Sequence, residues 1–472
     1  MAASTRTLPI LRHTRVSDGP APTRLLVEYQ KNGRRIKYWR ELTGSRLVKW
    51  DTFPLFPAVL CADGSPWAPA CMWLLERARA KPQSVATTLV SIAHSLACYL
   101  EFLDEVIGQP WDDFSSVDKY TRPTYLYKSH IEDLINAGEI AHSTGAKRMN
   151  AVIGLYRWLT DEERRFGFKP ANPPWIERKV SFEIRNTQGL KQTVDVQSTD
   201  LSIKNPSRED ALDTRISDGE KLRPLPQDEQ RLLIAVLRQL GNREVELAHY
   251  IALDTGGRKQ TVFTLRWGIF SRKPGEISQW PLKIACGPGT GIDTKGNVNA
   301  NLVVHRPLYE LLHVYATSPH AQIRRERSPL REAPINYLFL TSQGNPYYES
   351  KADVVSRRES SKKRTRNASK GNWINTFCQT RVLPLMRQTM PQFDYIFHDL
   401  RATFGMNWVD HQTANDPSYA AGARAREDLR KLMWHSRATT TDRYLEYRDN
   451  LRHLEAAEAS WSNRLIELIR GA

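Results

Sequence analysis

The chain has 472 residues, 40% hydrophobic and 25% charged, which is more than one ordinary domain holds and enough to bury soluble cores. Lys and Arg exceed Asp and Glu by 16, a surplus that attracts polyanions, of which DNA is the commonest in a cytosol. No run of about 18 apolar residues is present and the N-terminus lacks an apolar stretch, so neither a membrane-spanning helix nor a secretory signal is expected.

Cysteines stand at 61, 71, 98, 286 and 378 with no CxxC pair, so neither a disulfide framework nor a zinc site is expected. A reducing cytoplasm suits that usage.

In chain order, residues 1–80 mix basic residues, prolines and short apolar patches, and are expected to form an N-terminal arm or accessory region. Over 81–165 the pattern turns helical. Leu89, Ile92, Ala93, Leu96, Leu100 and Leu103 recur at three- and four-residue spacing, with Ser84 as a candidate N-cap. A second helix is expected near Tyr125–Ala137. A third, in "AKRMNAVIGLYRWL", places Met149, Val152, Ile153, Tyr156 and Leu159 on one side.

Residues 166–224 read as a linker. Within it, "KVSFEIRNTQGLKQTVDVQSTDLSI" is rich in β-branched residues around "NTQG" and could form a hairpin insertion. The remainder, from Asn205 to Lys221, is polar and charged.

From 225 to 472 a further domain is expected. It opens on a helix with Pro226, Asp228 and Glu229 in its first turn, and a strand-like region runs from about Glu276 to Val304. Helices resume at Leu308. The whole reads as mainly α with a small β-sheet, an α+β fold. Between Arg357 and Lys370 seven basic residues face one Glu, which suits a solvated loop and, without excluding it, phosphate contact.

Four separated segments each hold a residue suited to phosphoryl transfer. "DTGGRKQTVFTLRW" carries Arg258 after a glycine pair, and "GTGIDTKGN" carries Lys295 at a turn. "HDLRATF" sets His398 and Arg401 three apart, hence on one helical face. "LMWHSRATTTDRYLEY" sets His435 nine residues before Tyr444. A phosphodiester under attack gathers negative charge, which fixed cations stabilise, and a guanidinium forks around two oxygens. A tyrosine hydroxyl, with a pKa near 10, needs help to lose its proton. Tyr447 and Lys283 stand as rivals to Tyr444 and Lys295.

In order and spacing these segments resemble the tyrosine recombinase (phage integrase) family over most of Leu225–Tyr447. The resemblance implies that Arg258 and Arg401 clamp the scissile phosphate and that His435 is a further hydrogen-bond donor. Lys295 would be the general acid, His398 a base or orienting group, and Tyr444 the nucleophile of a 3′-phosphotyrosyl link. Rejoining would then need neither metal nor cofactor.

The resemblance further implies a helical core DNA-binding domain over 81–165 that forms a clamp on double-stranded DNA with the catalytic domain. It also implies a synaptic homotetramer, accessory DNA-bending proteins and a C-terminal exchange helix. The expected role is integration or excision of a mobile element. Type IB topoisomerases, telomere-resolving enzymes and a non-cutting accessory factor of the same fold are the alternatives. The chain departs from the family at Trp434, where glycine is usual, and at Thr261, where an acid is common. The long interval between Arg401 and His435 is a third departure.

Overall fold

In the computed structural model, residues 2–13, 24–31, 34–41, 51–82, 85–161, 168–185, 191–203, 215–218, 221–360, 369–414 and 419–470 are described. The fold is mainly α with small antiparallel sheets, five among the described residues and each of two strands. None of the helices among these residues is long and apolar enough to cross a membrane. Two compact units divide the chain, Met1–Ser207 and Arg208–Ala472.

The first unit packs the helices Ala68–Ala80, Val90–Glu101, Pro123–Asn136 and His142–Leu159 around one apolar cluster. The stripe expected from sequence lies in it: Leu89, Ala93, Leu96, Leu100 and Leu103 are buried, with Met149, Val152, Ile153, Tyr156 and Leu159 opposite. Ile92 packs at its margin. Ser84, the candidate cap, lies outside the described residues.

The structure divides this region differently from the sequence reading. Strand Ser4–His13 pairs antiparallel with Asp51–Leu60, and Phe53, Phe56 and Val59 enter the same cluster as the helices. The described strands Ser4–His13 and Asp51–Leu60 and the helix Ala68–Ala80 are therefore not a separate arm. Their apolar side chains complete the helical core, and helix Ala68–Ala80 adds Trp73 and Leu74 to it. The strands Glu177–Arg185 and Lys191–Thr199 pair as the expected hairpin and belong to this first unit.

The second unit starts before the expected boundary at 225. Ile216–Ser217 pairs with Lys221–Leu222, and both Ile216 and Leu222 are buried with Phe404, Met433 and Tyr444. Part of the presumed linker is thus built into this unit.

The expected first helix runs Gln227–Leu240, and Arg243–Thr255 follows, its Asn242 cap accepting from the Val245 amide at 3.0 Å. Strands Leu282–Cys286 and Ala300–Val304 form the expected ribbon. Helices from Arg306–Ala316 onward complete the unit. Of the basic run 357–370, residues 361–368 lie outside the described residues; Arg357 pairs with Glu349 at 2.7 Å.

Candidate active site

Local rules aim each side chain. Helix Arg243–Thr255 ends on Gly256, whose φ of +64° is left-handed, so the chain turns sharply and Arg258 caps the next helix, Lys259–Phe263. A Cβ on Gly256 would also meet Phe404 at 2.6 Å, so only glycine fits there.

His398 is not on the helix that carries Arg401. It sits in the turn just before Asp399–Ala414, and the Arg401 amide donates to its carbonyl at 3.1 Å.

Helix Tyr419–Leu432 ends in paired reversed bonds, from the Trp434 amide to Lys431 at 3.2 Å and from the His435 amide to Arg430 at 3.0 Å. This is a Schellman ending, whose turning residue adopts φ > 0. Trp434 holds that place with φ +57°, a conformation that glycine adopts without strain. Its indole N–H donates to the Asn301 carbonyl at 3.1 Å.

Tyr444 lies near the start of a 33-residue helix, Ala438–Arg470, tied to Asp399–Ala414 by Arg448 and Asp410 at 2.7 Å.

Arg258, Arg401, His435 and Tyr444 converge on one anion, the carboxylate of Asp218. Arg401 Nε donates to its Oδ2 at 2.7 Å and Arg258 Nη2 to its Oδ1 at 3.3 Å. His435 Nε2 lies 3.3 Å and the Tyr444 hydroxyl 3.4 Å from the same Oδ2. Arg401 also donates to the carbonyls of Gly256 at 2.7 Å and Met433 at 2.5 Å, which fixes its plane. A carboxylate only accepts, so His435 carries its proton on Nε2 and accepts from the Thr441 hydroxyl at Nδ1, 2.9 Å away.

The cage is nearly closed to solvent. Tyr444 is fully buried, Arg401 2% exposed and Asp218 4% exposed. Burial works to raise the Asp218 pKa. The His435 hydrogen bond and the charges of Arg401 and Arg258 outweigh it and hold the carboxyl far below its usual range. Burial, then the Asp218 charge, push the Tyr444 hydroxyl well above 10. Burial and then the Arg401 charge bring Arg258 down to about 10. His398 is held at about 4 by burial and then by Arg401 and Arg258, so it is neutral at pH 7.

Lys295 lies exposed in the turn Lys295–Asn297 between the two strands of the ribbon. Its charge is felt at His398. Thr261 anchors this turn: its hydroxyl donates to the Asp293 carbonyl at 2.8 Å. Lys351 Nζ holds Asn297 at 2.6 Å.

The rivals point elsewhere. Lys283 lies exposed on the strand opposite Val303, lining a cavity of about 1100 Å³ with Trp280 and Tyr309. Tyr447 is half-buried, and the charges that act on it are Arg223 and Glu229.

Sequence reasoning missed Asp218. It lies in a polar stretch without periodicity, and its partners are 40 to 226 residues away. Among the described residues, no group of three or more His, Cys, Asp or Glu side chains is gathered to hold a metal ion.

Neither a family model nor a curated protein matches the chain. Solved structures do. The chain is similar to a transposon integrase. The Tn1549 transposon integrase in complex with transposon right end DNA aligns with a TM-score of 0.41 at 14% identity, covering 79% of this chain and 94% of that one. The same integrase with circular intermediate DNA gives 0.39 at 15%, with the same coverage. A third structure of it, with another circular intermediate, gives 0.38 at 14%, over 82% of this chain and 99% of that one.

Proposed function

We propose that this chain is a tyrosine-type site-specific DNA recombinase that cuts and rejoins strands for a mobile element. The observation that carries the reading is the meeting of two arginines and a histidine on one anion, with a tyrosine hydroxyl on the same oxygen. Such a set suits a phosphodiester, whose two non-bridging oxygens would take Arg258 and Arg401 and whose phosphorus would face Tyr444.

In the proposed step the Tyr444 oxygen bonds to phosphorus while the bond to the 5′-oxygen breaks. The phenolic proton passes to neutral His398, and Lys295 delivers a proton to the leaving oxygen. His435 donates to a non-bridging oxygen. The reverse step, with a 5′-hydroxyl as nucleophile, rejoins the strand and releases Tyr444, so bond energy is conserved.

Double-stranded DNA is the proposed substrate, and the net charge of +16 supports attraction to it. Four protomers would act on two sites. The helix that carries Tyr444 extends about 50 Å at 1.5 Å per residue. Trp461, Ile466 and Ile469 near its end are 59%, 44% and 76% exposed, an apolar surface suited to a neighbouring protomer. Accessory DNA-bending proteins complete the proposed assembly.

The test is a pool of nicked duplexes of random sequence, on which cleavage releases a short fragment and traps the intermediate. The wild-type chain should form an adduct that survives denaturing electrophoresis. No adduct across the pool would overturn the reading.

A further inference from the structure

Asp218 belongs to none of the motifs that suggest phosphoryl transfer, yet it sits at their centre. Its Oδ1 takes Arg258, and its Oδ2 takes Arg401, His435 and the Tyr444 hydroxyl. On the reading above, these are the groups that a scissile phosphate needs. A phosphodiester and a carboxylate share the features the cage reads: one negative charge spread over two oxygens that guanidinium groups can bridge. One seat cannot hold both.

We propose that Asp218 is an internal stand-in for the scissile phosphate, so that the DNA-free chain is closed by its own carboxylate and a DNA phosphate must displace it. The inference rests on the phosphodiester reading of the cage.

Two further observations support displacement over a permanent role. The first is the tether. Asp218 follows a strand of two residues, Ile216–Ser217, which among the described residues pairs with Lys221–Leu222. A ladder that short adds little stability of its own, and what holds it is the burial of Ile216 and Leu222 against Phe404, Met433 and Tyr444. Such a clip can leave without unfolding the helices that carry the arginines.

The second is the fit. Arg258 Nε is buried without a hydrogen-bond partner. The carboxylate leaves that donor unanswered, whereas a phosphate brings further oxygens to the same seat. The arginine side of the cage is therefore better matched to a tetrahedral oxyanion than to the group now in it.

While Asp218 is in place, Tyr444 donates to a carboxylate and has no phosphorus to attack. Exchange of one anion for another then couples DNA arrival to activation. Every cation in the cage stays paired before and after, so neither state leaves a buried charge uncompensated.

Asp218→Asn keeps the shape of the side chain and removes its charge. In the full-length chain, inorganic phosphate is the probe, with binding followed by calorimetry. The variant should bind phosphate at least about tenfold more tightly than wild type, because no internal anion competes. On nicked duplex DNA it should form the covalent adduct no more slowly than wild type.

Unchanged or weaker phosphate binding would overturn the proposal. So would loss of adduct formation, since Asp218 would then be a permanent support for Arg401 and His435. Should Asp218→Asn fail to fold, hydrogen exchange on the wild-type chain decides. The backbone amides of Ile216, Ser217, Lys221 and Leu222 should exchange faster at saturating phosphate, and unchanged exchange overturns the proposal. A wild-type chain that forms no adduct with any duplex removes the strand-cutting reading. The phosphate experiments would still report separately on whether Asp218 is displaced.

Discussion

Gly405 lies directly against the ring of Tyr444: a Cβ built on it would stand 2.6 Å from Cε1 and 2.8 Å from Cδ1. The helix Asp399–Ala414 thus carries Arg401 into the cage and, one turn on, leaves the space in which the proposed nucleophile rests. Gly405→Ala should push the ring out of place. The helix gains about 1 kcal/mol of propensity and loses about 1–3 kcal/mol to overpacking, so the net loss stays within about 2 kcal/mol. Adduct formation should slow about 10–100-fold, since reactivity depends on placement to within about 1 Å. Urea denaturation and single-turnover cleavage, run together, check both figures. A rate equal to wild type would show that the ring does not depend on this contact.

Tyr444→Phe should abolish covalent attachment and leave DNA binding nearly unchanged. The hydroxyl's structural share is one long hydrogen bond of 3.4 Å to Asp218, so stability should change by no more than about 1 kcal/mol. Tyr447→Phe should still form the adduct, because the charges acting on that ring are Arg223 and Glu229. An adduct from the Tyr444 variant on a denaturing gel would move the nucleophile to Tyr447.

Lys295→Ala should be slow on ordinary DNA by about 10²–10⁴-fold, or roughly 3–5 kcal/mol of barrier, if it protonates the leaving oxygen. A duplex with sulfur at the bridging 5′ position has a better leaving group and should restore most of the rate. Arg258→Ala should not be rescued, because its proposed partner is a non-bridging oxygen. Sulfur rescue of Lys283→Ala instead of Lys295→Ala would reverse the assignment of the two lysines.

His398 titrates at about 4 in the folded chain, against about 6.5 when unfolded. Its folded pKa is depressed, so the unfolded chain takes up the proton first as pH falls. The contribution to stability is therefore whole above about pH 6.5 and is lost between there and about pH 4. At pH 5 the half-buried ring should cost about 1–2 kcal/mol relative to pH 7. His398→Gln cannot titrate, and its stability should fall by that much less over the same interval. Equal falls in urea denaturation at pH 7 and pH 5 would show that His398 is not depressed.

Removing the residues after Asn450 should spare binding to a single site and reduce the pairing of two sites. The motive is the exposure of Trp461, Ile466 and Ile469 on the last turns of the helix that carries Tyr444. Pairing can be followed by native gel with two differently labelled duplexes. Unchanged pairing by the shortened chain would refute a role for this helix between protomers.

Short-range order was legible in the sequence. The stripe from Leu89 to Leu103 predicts a buried face, and Pro226, Asp228 and Glu229 predict the helix start found at Gln227. Each depends on chain geometry over a few residues, which spacing reports directly. The anomaly at Trp434 was visible too, but its cause was not. Only the helix ending shows that this residue must take a left-handed turn.

What the tertiary structure decided involves partners far apart in the chain. Ser4–His13 pairs with Asp51–Leu60 across segments that read as an irregular arm, and no local pattern encodes which strand meets which. Tyr444 and Tyr447 stand three residues apart on one helix; the nine-residue interval from His435 favours Tyr444, and packing brings its hydroxyl to Asp218 beside Arg258 and Arg401. Asp218 is the extreme case. A single acid in a polar stretch carries no periodic signal, and its setting arises when folding brings Arg401, 183 residues away, within 2.7 Å. Burial then keeps water from competing for either charge, and a solvated linker acid becomes the ligand of the cage.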